Sequence, residues 1–133
     1  MINIRLHHGF CFNPENFIGQ GYSEKHSTWL QKNFYRLYEN PDTLVKIEYG
    51  EDTFCKKCPH SKKQKGTCHK DYVTLLDKKI NTYLDLKNGQ VFSFRKFLVI
   101  IKSFISPETR LAICSDCGWR KKGVCKTFLE RGF

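Results

Sequence analysis

Ser93-Phe94-Arg95-Lys96-Phe97-Leu98-Val99-Ile100-Ile101-Lys102-Ser103-Phe104-Ile105-Ser106-Pro107-Glu108-Thr109-Arg110-Leu111-Ala112-Ile113-Cys114 is the stretch whose reading decides the fold class. Phe94, Phe97, Leu98, Ile101 and Ile105 recur at helical spacing, with Phe104 widening the stripe, and Ser93 is placed to cap the helix. Ser106-Pro107-Glu108 restarts a helix, because proline fits the first helical position, where its missing N–H costs nothing. That short helix runs into Cys114, where a cysteine-rich tail begins.

Working outward, residues from Asp71 to about Leu86 show the same periodicity through Val73, Leu76, Ile80 and Tyr83 or Leu84. They stop near Asn88-Gly89, and Gln90 to Phe92 read as extended. Ser23 can cap a helix running to about Glu39, with His26, Trp29, Leu30, Phe34 and Leu37 on one face. Asn40-Pro41 ends it, since a residue before proline is pushed out of helical geometry. Ile2, Ile4 and Leu6 alternate with polar residues, as do Val45, Ile47 and Tyr49, and both read as short strands. His7 to Gly21 reads as irregular, punctuated by Gly9, Pro14, Gly19 and Gly21. The expected fold is α+β and mainly helical, one metal-binding domain over residues 1–133. It would have short N-terminal strands, three to four helices and two cysteine-rich metal-binding loops.

A chain of 133 residues with 40% hydrophobic content can bury roughly two thirds of its unfolded surface without disulfides. No apolar run approaches a membrane span or a signal peptide, so a cytoplasmic protein with reduced thiols is expected. The stretch from Gly50 to Lys70 has little apolar content beyond Phe54 and its cysteines, so a metal would supply the missing cohesion.

Seven cysteines form an approximate repeat. Cys55-x2-Cys58-x9-Cys68 and Cys114-x2-Cys117-x7-Cys125 share a three-thiol plan, and Cys11 is the seventh. Two sulfurs on one tight turn can share a metal, and a third returning seven to nine residues later can join them. These cysteines sit among lysines, glycines and proline rather than at periodic apolar positions, which argues against their being core fillers. Two four-ligand sites need eight ligands. Cys11, with His8 three and His7 four residues before it, could complete one or both, and His60 and His69, adjacent to the first triple, compete as fourth ligands. Thiolate ligation suits zinc or iron–sulfur alike.

The net charge of +10 would suit nucleic acid or another acidic partner. Lys56, Lys57, Lys62, Lys63, Lys65 and Lys70 crowd the first triple, however, where cations stabilise the metal-binding thiolate.

Several motifs carry a family resemblance. They are Arg5-Leu6-His7-His8-x2-Cys11, Gly21-Tyr22-Ser23, Asn40-Pro41-Asp42-Thr43, Cys55-x2-Cys58-Pro59 with Cys68, Asp77, and Cys114-x2-Cys117-x-Trp119-x3-Gly123-x-Cys125. The chain resembles the domain-of-unknown-function 1284 family, small bacterial and archaeal proteins regarded as iron–sulfur binders without an established activity. Leu6 departs from the proline usual before the paired histidines, which leaves all seven thiols in place. The resemblance implies one or two iron–sulfur clusters, of the 4Fe-4S type, more than zinc.

The expected ligands are Cys11, Cys55, Cys58, Cys68, Cys114, Cys117 and Cys125, with His8 the best histidine. The expected role is electron transfer, redox or iron sensing, with an acidic redox protein as partner. The alternatives are a zinc-stabilised basic module for nucleic acid or an acidic protein, and a metalloenzyme with an open site near His7 and His8. No Ser-His-Asp arrangement, phosphate-cradling glycine loop or carboxylate pair supports the last.

Overall fold

Isoleucine and valine at alternate positions build a three-stranded sheet around which the helices pack. The structure, a computed structural model, describes residues 1–11, 24–55 and 70–115, with side chains from residue 73 onward in the last stretch. Elements follow in the order β1 (Ile2–Ile4), α1 (Leu6–Cys11), α2 (Glu24–Glu39), β2 (Leu44–Ile47), α3 (Lys70–Leu84), β3 (Val91–Ser93), α4 (Phe94–Phe104) and α5 (Pro107–Ile113). The protein is a small, mainly helical α+β domain, as the periodicities imply. Cys58, Cys68, Cys117, Cys125, His60, His69 and most of the two cysteine-rich loops lie outside the described residues.

β2 is central. It pairs in parallel with β1, Ile2 opposite Val45 and Ile4 opposite Ile47, and antiparallel with β3, Val45 opposite Phe92. A parallel pair requires a long crossover, and the chain between β1 and β2 supplies it with α1 and α2. Val45 and Ile47 are buried, whereas Leu44 and Lys46 face outward. Tyr49 lies beyond the strand and exposed; its hydroxyl donates to the Leu86 carbonyl.

Ile4, Phe10, Leu30, Phe34, Leu37, Ile80, Phe94, Phe97 and Ile101 centre the core. Burying each is worth about 1.5–3 kcal/mol. Within α3, Leu84 rather than Tyr83 joins Val73, Leu76 and Ile80 inside. Ser93 and Ser106 cap α4 and α5, accepting from Lys96 N and Thr109 N, and Pro107 occupies the first turn as expected. Phe104, expected on the stripe, is 61% exposed; it falls at the end of α4, where the chain turns and Ile105 takes the inward position.

The largest departure is α1. Leu6–Cys11 is helical where the sequence reads as a strand end and an irregular segment. Six residues with a glycine among them and no acidic residue in the first turn carry little intrinsic helicity. The helix exists because its ends are held by distant side chains and its middle is packed. Gly9 is a packing position rather than a turn: a Cβ there would stand 2.2 Å from Phe97 Cε2, so α1 and α4 approach as closely as they do only over glycine.

Candidate metal centre

The first backbone N–H groups of a helix lack partners within it, and acidic groups are favoured there. For α1 two carboxylates from elsewhere provide them. Asp52 is carried up beside the end of β1 because Thr53 N donates to Asn3 O at 3.1 Å and Asn3 N to Thr53 Oγ1 at 3.0 Å. There its Oδ2 accepts from Arg5 N at 2.7 Å. Asp77, on the inward face of α3, accepts from His7 N at 2.8 Å through Oδ1.

Each carboxylate also holds one histidine ring. His7 Nδ1 donates to Asp77 Oδ1 at 2.9 Å and His8 Nδ1 to Asp52 Oδ2 at 2.5 Å. Arg5 Nε donates to Asp77 Oδ2 at 2.8 Å. The two ring centroids are 4.2 Å apart. A histidine whose Nδ1–H is committed to a carboxylate has Nε2 as its ligating or accepting nitrogen, the arrangement usual behind a metal-bound imidazole. Phe54 and Phe34 stand edge-on to His8, and Trp29 edge-on to Phe54, so an aromatic wall closes one side.

Asp52 reaches forward as well as back. Its Oδ1 accepts from Phe54 N and Cys55 N, both at 2.9 Å, and this fixes the backbone that presents the first thiol of the Cys55 triple. Ligand atoms of His8, Asp52 and Cys55 lie within 4.8 Å of one another, all buried. The carboxylate is 0% exposed and already accepts four hydrogen bonds, about the capacity of a carboxylate. Asp52 therefore orients the other two, and His8 and Cys55 are the pair suited to face an ion.

The charges fit that division. Burial raises the Asp52 carboxyl, but His8 and the backbone donors outweigh it and hold the group well below the ordinary range. Asp77 is likewise held low, burial being outweighed by His7 and Arg5. Burial, and behind it the His8 ring, keeps His7 below the usual imidazole value. Burial and then the Asp52 charge push the Cys55 thiol up, because two adjacent anions in a dry site are costly. A cation against the sulfur would remove that cost.

At its other end α1 meets α5, the helix that leads into Cys114. Arg110, buried on α5, donates from Nη2 to Phe10 O at 2.5 Å, and its guanidinium sits 3.9 Å from the Phe10 ring centroid. A cation on the last carbonyls of a helix satisfies them and suits the dipole. One turn further on, Cys114 is the C-cap of α5, half-buried, its N–H bonded to Arg110 O at 3.0 Å. Cys11, three residues after His8 on α1, is also half-buried. Neither Cys11 nor Cys114 belongs to the His8–Asp52–Cys55 group, and none of the three described cysteines is in a disulfide.

Of the expected ligands, then, the structure brings together His8 and Cys55. Asp52 carries no role in the sequence reading, and Asp77 and Arg5 enter it only as parts of the resemblance. A local signal existed for two of them: Asp52 lies three residues before a Cys-x2-Cys pair, and Asp77 falls among Val73, Leu76, Ile80 and Leu84 on the apolar face of α3.

A profile described as protein of unknown function (DUF1284) matches residues 21–123. The chain belongs to the DUF1284 family. The matched span holds Asp52, Asp77 and five of the cysteines, Cys55, Cys58, Cys68, Cys114 and Cys117. Arg5, His7, His8, Cys11 and Cys125 lie outside it. No curated protein and no solved structure matches this DUF1284 chain. No helix among the described residues is long and apolar enough to cross a membrane.

Proposed function

We propose that this DUF1284 chain is a metal-binding protein of the reduced cytoplasm whose thiols hold one or two iron–sulfur centres of the 4Fe-4S type, serving electron transfer or redox sensing. One observation carries the reading: His8 and the first thiol of the Cys55 triple stand within 4.8 Å of each other, oriented by a single buried carboxylate. The donor set fits a soft metal. Asp52 spends its oxygens on hydrogen bonds, so thiolate sulfur and imidazole nitrogen remain, the ligands that favour iron–sulfur or zinc over calcium or magnesium.

Cys55, Cys58, Cys68 and His8 would hold a centre at the N-terminal end of α1, and Cys114, Cys117, Cys125 and Cys11 one toward its other end. Such a group supplies one-electron transfer when bound. The chain's own part is to hold the His8 ring through Asp52, to keep water off it with Phe34, Phe54 and Trp29, and to offer lysines to an acidic redox partner.

The His–Asp pairing also suits zinc, which would make the chain a metal-stabilised basic module for nucleic acid or an acidic protein. Anaerobic purification with a visible spectrum and iron, sulfide and zinc analysis separates the two. Sulfide-to-iron charge-transfer absorption with matching iron and sulfide is the expected result. A colourless protein with stoichiometric zinc after anaerobic reconstitution overturns the iron–sulfur reading.

A further inference from the structure

Arg5 is 5% exposed, and its Nη2 is buried with no hydrogen-bond partner among the described residues. A guanidinium cannot shed its proton to escape this, and a buried donor without an acceptor keeps its desolvation cost unrelieved. The nearby carboxylates are committed. Asp77 Oδ2 is taken by Arg5 Nε, its Oδ1 by two donors of His7, and Asp52 by four donors. Among the described residues of this group, the remaining one able to become an anion is the Cys55 sulfur. Arg5 and Cys55 are tied to the two oxygens of the same carboxylate through their backbone N–H groups, at 2.7 and 2.9 Å. Their side chains act on one another electrostatically.

We propose that Arg5 donates from its guanidinium to the metal-bound sulfur of Cys55, a charge-assisted N–H···S bond that restrains the electron density of the thiolate. This rests on the metal reading above and adds to it a residue that touches the sulfur rather than the metal. Asp77, gripping Nε, and the committed carboxylate oxygens leave the guanidinium no competing carboxylate among the described residues. A thiol is a poor acceptor and a thiolate a good one, so the bond forms when the metal does. Its consequences are a less nucleophilic sulfur and a centre whose reduced state is favoured.

The test uses the full chain loaded anaerobically with cobalt(II), comparing wild type with Arg5→Gln and Arg5→Lys. Lysine keeps a charge for Asp77 but lacks the fork needed to serve Asp77 and sulfur together. The thiolate-to-cobalt band is expected to move to lower energy in both variants. Alkylation of Cys55 by iodoacetamide, followed by peptide mapping, should become about tenfold faster with the charge-assisted hydrogen bond gone, while Cys114 keeps its rate. If Arg5→Gln does not fold, Arg5→Lys decides. A band and a Cys55 rate both unmoved in a folded variant overturn the proposal and leave the metal reading standing. Absence of any charge-transfer band in the wild type removes the metal reading and this proposal with it.

Discussion

Cys55 and Cys114 open the same motif, Cys-x2-Cys, yet they stand on different foundations. Cys55 follows a buried carboxylate that binds its N–H, holds His8 and caps α1. Cys114 follows a helix: it ends α5, half-buried, with Arg110 rather than an acid as its neighbour. One thiol is prepared by a polar hub, the other by helix geometry. The six-residue α1 joins them, with carboxylates at its N-terminal end and Arg110 at its C-terminal end, the sense its dipole requires. Two copies of a motif thus acquire different electrostatics from what the fold sets beside them.

The comparison breaks most severely at Asp52. Asp52→Ala strands Arg5 N, Phe54 N, Cys55 N and His8 Nδ1 in a buried site, and should lower stability by about 3–5 kcal/mol in urea denaturation and abolish metal uptake at Cys55. Acid attacks the same end of α1 through Asp77. A carboxyl held low in the folded state contributes stability that is complete above its unfolded value near 3.8 and is lost as pH falls below it. The stability difference between wild type and Asp77→Asn should therefore shrink as pH falls from about 4 toward 2, measured by urea denaturation across that range.

Gly9→Ala tests the shared support. Its Cβ would meet Phe97 Cε2 at 2.2 Å, so α1 must lift from α4 at about 1–3 kcal/mol, and thermal melting should show the loss with both ends of α1 loosened. Ser106→Ala sharpens the contrast from the other side. Loss of the α5 cap should cost about 1 kcal/mol and raise amide exchange through Arg110 and Cys114, while Cys55 remains protected. Equal loosening at Cys55 would mean that the two foundations are not separate.

Much of the fold was legible in local pattern. The stripe of Phe94, Phe97 and Ile101, the caps at Ser93 and Ser106, and the alternation of Val45 and Ile47 are short-range facts that the backbone obeys. α1 was not, for a stated reason: its caps arrive from Asp52, Asp77 and Arg110, and no window of sequence around Leu6–Cys11 contains them. Tyr83 and Leu84 were indistinguishable by spacing, and the packing of the core took Leu84 and left Tyr83 exposed. In the candidate site, His8 and Cys55 were legible as residue types with ligand chemistry, but their proximity was not.

By itself, the sequence determined where helices and strands form and which residue types could bind metal, because periodicity, capping and side-chain chemistry are local properties. Only the tertiary structure decided that His8 stands with Cys55, that Asp52 binds both the His8 ring and the Cys55 N–H, and that Arg5 keeps a buried donor without a partner among the described residues. The bonds that Asp52 makes to the His8 ring and to Arg5 N join residues 44 and 47 positions apart. Distance in the chain carries no chemistry until burial brings charges together and removes the water between them.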